Sequence, residues 1–340
     1  MKDTTKKIVN ISIAFILLIV FGYFAVKDVD FTLMWKSIIN ADYLWVILSA
    51  PVILMSHWVR ALRWKTMLAP VIKDRKISTW NLFSSVMIGY AANNVIPRSG
   101  EFLRPYVSSK REKISFSMLF ATIIVERFID VITLLLLFGG VFFFFRDQIV
   151  QSLPNLDANK IIIPTLLIVF VLILSFYPPF FRLFLRVIIK PLSKNLYEKL
   201  NKIFDSFIQG FRIIKTPSAY FRVILESLTI WLFYTIPLFL MFYAFPFRAQ
   251  FHLSFDDAIL LIVVSGIGTT IAPTPGAIGV YHYLISNTLV KIYGLTQEDA
   301  LAYAIVTWAI NFLMQMIPGG LFFLRENIKR IPKEAEISIE

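Results

Sequence analysis

Gly89-Tyr90-Ala91-Ala92-Asn93-Asn94-Val95-Ile96-Pro97-Arg98-Ser99-Gly100-Glu101-Phe102-Leu103-Arg104 is the stretch that decides how this chain folds. It closes an apolar segment, 77–96, that is long enough to enter a membrane. Pro97 removes a backbone donor and disfavours helix at Ile96. Gly100 permits a positive φ or a close backbone approach, and Asn93 and Asn94 can pair the backbone groups that the break sets free. In lipid an unpaired backbone group costs several kcal/mol, so a broken helix survives only where protein buries it or where it lines a wet cavity. A second break of the same form, Pro273-Thr274-Pro275-Gly276-Ala277-Ile278-Gly279, interrupts 258–293. Matched interruptions in the two halves of a chain point to a transporter's binding site.

Around these breaks lie apolar runs from end to end. The 340 residues are 57% hydrophobic, with 33 phenylalanines, which predicts an all-α polytopic membrane protein. The chain has no cysteine, excluding disulfides, thiolate metal sites and cysteine nucleophiles. His57, His252 and His282 lie far apart without metal-ligand spacing, so neither a metal nor a cofactor is expected. A net charge of +12 would suggest nucleic acid in a soluble chain. Here the basic residues gather in short loops, as the positive-inside bias requires, and attraction to anionic lipid heads is a compatible second reading. No nucleic-acid partner is expected.

The charge pattern sets a topology. Lys2, Lys6 and Lys7 followed by Ile8–Val26 look like a signal peptide, but the apolar run is too long and no small-residue cleavage site follows, so 8–26 reads as a retained first span. The net-negative loop 27–42 lies outside, span 43–59 returns, and the basic loop after it is cytoplasmic. A crossing by 77–96 would put basic residues 98–113 outside, so a re-entrant hairpin over about 77–110 is preferred. A long helix follows over 114–145, then spans 161–177, 219–245 and 300–324. Between them sits an interfacial amphipathic helix bearing Phe204, Phe207, Ile208 and Phe211. A second hairpin, about 258–293, enters from outside. The expectation is six full spans plus two re-entrant helical hairpins in one membrane domain over 1–340, with halves 8–145 and 161–325. Both termini lie in the cytoplasm, and the membrane is the cytoplasmic one. Each hairpin leads into a long helix with a glycine pair, Gly139-Gly140 and Gly319-Gly320, which resembles an inverted-topology repeat; so short a signal can also arise by chance.

Arginine forks match phosphate oxygens, and the half-helix starting near Gly100 aims its positive end at the break. Arg98 and Arg104, with Asn93 and Asn94, are therefore candidates to bind an anionic headgroup; a solvated interfacial loop is the plainer reading. Glu126-Arg127-Phe128-Ile129-Asp130 puts two acids on one helical face about 20 Å along the helix from Lys113, near mid-bilayer, where charge is rare. A structural ion pair with Arg98 or Arg104 and a substrate or proton site explain it equally; Glu101 joins this charged set. Acid–base catalysis by the pair finds no supporting nucleophile or metal set, so no catalytic residue is assigned. Arg60 and Arg63, one turn apart between Trp58 and Trp64, read as interfacial anchors or as headgroup contacts. In the second break Pro273, Pro275, Gly276 and Gly279 shape the backbone, and Tyr281 and His282 offer polar handles, His282 as a packing residue or a proton relay. Glu226 is a lone acid within a span, and Asn311 with Gln315 reads as interhelical glue.

Gly89–Arg104, Ile114-Ser115-Phe116 leading to Val125-Glu126-Arg127 and Asp130, Pro273–Gly279, Glu298-Asp299-Ala300, and Ser56 to Arg63 together resemble the lysylphosphatidylglycerol synthase transmembrane-region family, over about 8–325. The resemblance implies a flippase-like membrane domain that translocates aminoacylated phosphatidylglycerol, or in some relatives a polyprenyl-linked lipid. In the full synthases a cytosolic domain charges the lipid; that domain is not found in this sequence, so lysyl transfer by this chain is not expected and a partner enzyme would supply the modified lipid. The leading expectation is a translocase of anionic, aminoacylated or polyprenyl-phosphate lipid. A membrane transferase of lipid or envelope-glycan modification and a non-catalytic envelope scaffold are its rivals. No Walker A loop appears, so transport would be passive, ion-coupled or driven by a partner.

Overall fold

A computed structural model describes residues 2–69, 76–145, 178–198, 201 and 217–326. The expected span 161–177 and the amphipathic helix at 204–211 lie outside the described residues. All regular structure among those described is helical: α1 Lys2–Val26, α2 Phe31–Ile39, α3 Tyr43–Leu68, α4 Thr79–Val95, α5 Gly100–Glu112, α6 Phe116–Phe144, α7 Pro178–Phe184, α8 Pro217–Ala244, α9 Phe247–Phe251, α10 Phe255–Ile271, α11 Val280–Tyr293 and α12 Gln297–Arg325. A π turn, Leu185–Ile189, follows α7. Four of these helices (α3, α6, most of α8, and α12) are long and apolar enough to cross a membrane, and α1 with α2 forms a fifth, bent candidate with an 88° turn between its arms. The chain is an integral membrane protein.

Two segments differ from the sequence expectation. Residues 31–39, expected as part of an external loop, form α2. Asp30 caps it by accepting from the amides of Thr32 and Leu33, and Met34 and Ile38 turn inward while Phe31, Leu33 and Trp35 stay exposed. The aspartate-then-apolar pattern was a legible N-cap signal. Helix α3 runs to Leu68, well past 59, because its charged last turns are buried by protein rather than released to water.

Both breaks fold their flanking helices back on themselves. Ile96 is extended ahead of Pro97, as the steric rule for pre-proline residues demands. The Gly100 amide donates to Asn93 Oδ1 (2.7 Å) and the Ser99 hydroxyl to the Ala92 carbonyl (2.8 Å), so the break supplies its own backbone partners. A Cβ on Gly100 would overlap the Gly89 carbonyl. From that crossing α4 and α5 run antiparallel down to Asn81, which donates to Glu112, and to Arg111, which donates to Ser84 and pairs with Glu326. In the second pair, Leu284 of α11 packs on Gly268 of α10, and Tyr293 donates to Asp257 at the far end (2.6 Å). Gly279, at φ +80°, has the α1 backbone at Leu18 and Gly22 where a Cβ would go.

The packing repeats between the halves. Helix α3 lies against α4 as α8 lies against α10; α5 against α6 as α11 against α12. The first pair leans on α12, and the second on α6. Asn94 donates to Gln315 (3.0 Å), which donates in turn to Asn311, across the first of these contacts. The glycine pairs are not equivalent: Gly319 lets α12 meet the α4 backbone at Met87, whereas Gly139 and Gly140 have open space beside them.

Candidate functional site

Seven charged side chains converge where α3, α5, α6 and α8 meet. Helix α3 is antiparallel to α8 and presents Arg60, Arg63 and Trp64, at i, i+3 and i+4, on one face. Helix α6 presents Glu126 and Asp130, also at i, i+4. Helix α5 brings Arg104 in because it folds back at Gly100.

Glu126 is the hub, with no solvent exposure. Its Oε1 accepts from Arg60 Nη1 (2.5 Å) and Arg104 Nη1 (2.8 Å), and its Oε2 from Arg104 Nη2 (2.9 Å), a bidentate fork. Asp130 accepts from Arg60 Nη1 (2.8 Å) and Arg63 Nη2 (2.7 Å). Arg63 spends its other terminal nitrogen on Ser227 of α8 (2.9 Å). Arg60 donates through Nη2 to the Tyr234 hydroxyl (2.9 Å), which lies 3.0 Å from the Tyr90 hydroxyl on α4. The Arg104 guanidinium stands 4.0 Å over the Trp64 ring, whose indole N–H is anchored on Thr122 (2.8 Å). Apolar layers wall the cluster: Trp64, Leu119 and Ile123 on one side, Met67, Val125 and Val223 on another, Leu134 and Trp231 on a third.

One edge is open. Arg127 is 39% exposed and Glu101 32%. Arg127 lies 3.7 Å from Glu101, 3.8 Å from Glu126 and 3.7 Å from Asp130, beyond hydrogen-bond reach of all three. His57, buried against the Tyr90 ring at 4.3 Å, has no hydrogen-bond partner on either ring nitrogen among the described residues, and the Nε of Arg63, Arg104 and Arg127 likewise make no hydrogen bond.

The structure thus gathers Arg60, Arg63, Arg104, Glu101, Glu126, Arg127 and Asp130. Arg60 and Arg63 are buried, 3% and 0% exposed, so the interfacial-anchor reading does not describe them. The ion pair at Glu126 takes Arg104, not Arg98. Arg98 is exposed at the first tip, with φ +64°, and donates to the Thr270 carbonyl at the end of α10 (3.4 Å). The tips of the two breaks touch through Arg98 and the Thr270 carbonyl, and among the described residues the ion pairs of Glu126 are with Arg60, Arg63, Arg104 and Arg127. Asn93 and Asn94 serve the break itself and the contact to α12. Sequence reasoning missed Tyr90, Tyr234, Ser227 and His57. The adjacency of Tyr90 to the first break and of His57 to Arg60 was the available signal, and nothing local marked Tyr234.

The second break stands apart from the cluster. Pro273 and Pro275 bracket Thr274, whose hydroxyl donates to Ile278 O (2.8 Å), and Gly276 O accepts from the Trp308 indole (2.7 Å). His282 packs 5.1 Å from the Trp308 ring and Tyr281 neighbours it. Glu226 accepts from Thr66 and Arg222. A mainly apolar groove of about 350 Å³ between α6, α10 and α11, lined by Phe138, Val263, Leu284 and Asn287, contains none of the charged cluster.

Two known membrane proteins are similar to this chain in sequence. UPF0104 membrane protein MJ1078 of Methanocaldococcus jannaschii is 26% identical over 246 residues, 71% of this chain and 97% of that protein. UPF0104 membrane protein PH1989 of Pyrococcus horikoshii is 22% identical over 307 residues, 85% of this chain and 89% of that protein. No solved structure matches. The family described as the lysylphosphatidylglycerol synthase TM region matches residues 9–319, nearly the whole chain around both breaks and the cluster. The chain belongs to that family.

Proposed function

We propose that this protein is a flippase-like lipid translocase of the cytoplasmic membrane, and that the arginine–carboxylate cluster holds a phosphate-bearing lipid head in transit. One observation carries the reading: a buried lattice of three arginines and two acids joins α3, α5, α6 and α8, helices of both halves, and opens at Arg127. Charges at such depth are expensive and usually mark a substrate path. Glu126 and Asp130 spend their oxygens on arginines, which favours holding charge over acid–base transfer. The repeated packing of the halves supports six spans with two re-entrant pairs entering from opposite faces, both termini cytoplasmic. Alternating access would rock one repeat on the other, and the Arg98–Thr270 contact between the tips would break and re-form. Arg98, exposed at the tip, would meet the head on entry. The lipid would be an anionic or aminoacylated phospholipid or a polyprenyl phosphate, the modified forms supplied by a partner enzyme.

The test is translocation of tail-labelled phosphatidylglycerol in proteoliposomes, read by quenching of the outer leaflet. Wild type should exceed protein-free vesicles, Arg98→Ala should slow entry, and Glu126→Gln should abolish transport. Equal rates for all three proteins would remove the site.

A further inference from the structure

The cluster is unbalanced by one charge. Five guanidinium groups, Arg60, Arg63, Arg104, Arg127 and Arg222, face four carboxylates, Glu101, Glu126, Asp130 and Glu226. Arg222 and Glu226 balance each other at one margin. That leaves Arg60, Arg63, Arg104 and Arg127 against Glu101, Glu126 and Asp130. Hydrogen bonds redistribute the surplus positive charge without cancelling it, and neutral neighbours such as Tyr234, Tyr90 and Ser227 supply no counter-charge. A charge taken out of water needs a partner.

We infer, building on the translocase reading, that this centre selects lipids whose head bears a single net negative charge on a phosphodiester, and that Arg127 is the residue that contacts that phosphate. Three observations locate the contact. Arg127 makes no hydrogen bond among the described residues, and its carboxylate neighbours stand just out of reach. It lies on the open edge. A hydrophobic strip continues from it: Phe116 and Phe120 share its face of α6, Phe120 stacks on Phe102 at 5.3 Å, and Phe102 and Phe116 are exposed. A head at Arg127 therefore has an apolar surface for its chains alongside. An aminoacylated head carrying an added ammonium would bring a cation to a centre already in cationic excess, and a zwitterionic head would leave that excess in place.

The experiment measures lipid preference in nanodiscs and proteoliposomes with full-length protein. Phosphatidylglycerol, phosphatidylethanolamine and lysyl-phosphatidylglycerol, carrying one negative, zero and one positive net charge, are compared by native mass spectrometry for binding and by leaflet quenching for transport. Binding should fall in that order, phosphatidylglycerol leading the lysyl lipid by about tenfold or more. Arg127→Gln removes the surplus and should flatten the order; Glu101→Gln adds to it and should steepen it. A merely structural role would not move the two variants in opposite directions, and Glu101→Gln decides the matter if Arg127→Gln does not fold. Inorganic phosphate and glycerol 3-phosphate at millimolar concentration should fail to displace the lipid; displacement by either would make this a soluble-anion site and overturn the lipid assignment. Equal binding of the three lipids, or tightest binding of the lysyl lipid, overturns the charge inference whatever the transport result. Charge-ordered binding without transport of any lipid upholds it and refutes the translocase reading.

Discussion

Glu126 holds three arginines together, and its loss is not symmetric with theirs. Glu126→Gln leaves Arg104 without its bidentate partner and Arg60 with Asp130 alone. Removing one member of a buried pair costs about 3–5 kcal/mol, since the remaining charge stays desolvated. The variant should unfold earlier in detergent by that amount. The double variant Arg104→Gln/Glu126→Gln should recover part of the loss, and a denaturation cycle over the four proteins measures the coupling; strict additivity would contradict the bidentate fork. Arg104→Lys should also be destabilising, because an ammonium neither forks onto a carboxylate nor lies flat on Trp64. The residues of this hub were visible in the sequence as charges at helical spacing in apolar surroundings. Their partners were not. Whether Arg98 or Arg104 reached Glu126 depended on where α5 turned, and Tyr234 arrives from a helix more than a hundred residues away.

At the scale of elements, glycines report which helix contacts are tight. Gly279 combines a positive φ with the α1 backbone at its back, so Gly279→Ala should cost about 1–3 kcal/mol. Gly319→Ala should also destabilise, by forcing α12 off Met87. Gly139→Ala meets open space within α6 and should stabilise by about 0.5–1 kcal/mol. Thermal unfolding of the three variants checks the contrast; a loss at Gly139 equal to that at Gly319 would mean that the glycine pairs are equivalent after all. Both breaks were legible because proline, glycine and local polar side chains leave a chemical signature. Helix α2 was hidden because its charges resembled a loop, although Asp30 ahead of an apolar run marked its start. The length of α3 was hidden because Arg60 and Arg63 look like membrane-surface residues until a partner helix buries them.

For the whole molecule, the two broken pairs exchange contacts, the first with α12 and the second with α6, and the proposed inverted repeat predicts an orientation for each. The chain lacks cysteine, so single cysteines report sidedness against a silent background. Lys110→Cys should resist an impermeant thiol reagent applied from outside intact cells, and Lys291→Cys should react. External labelling at position 110 would turn the first pair into a crossing. Hydropathy made the all-helical membrane class legible, since it obeys a period; the sidedness expected from loop charge is what this labelling measures. The contact between the tips and the burial of the cluster come from tertiary packing, which no local pattern encodes.

The central claim is that a lipid head binds at the edge formed by Arg127 and Glu101. Photo-crosslinking in native membranes, with phosphatidylglycerol carrying a diazirine on its head, followed by peptide mapping, tests it most directly. The label is expected on α5 and α6 peptides containing Glu101 and Arg127, and should fade when Arg127 becomes Gln. Labelling confined to outward-facing surfaces such as Phe143 and Phe144, with none on those peptides, would contradict it.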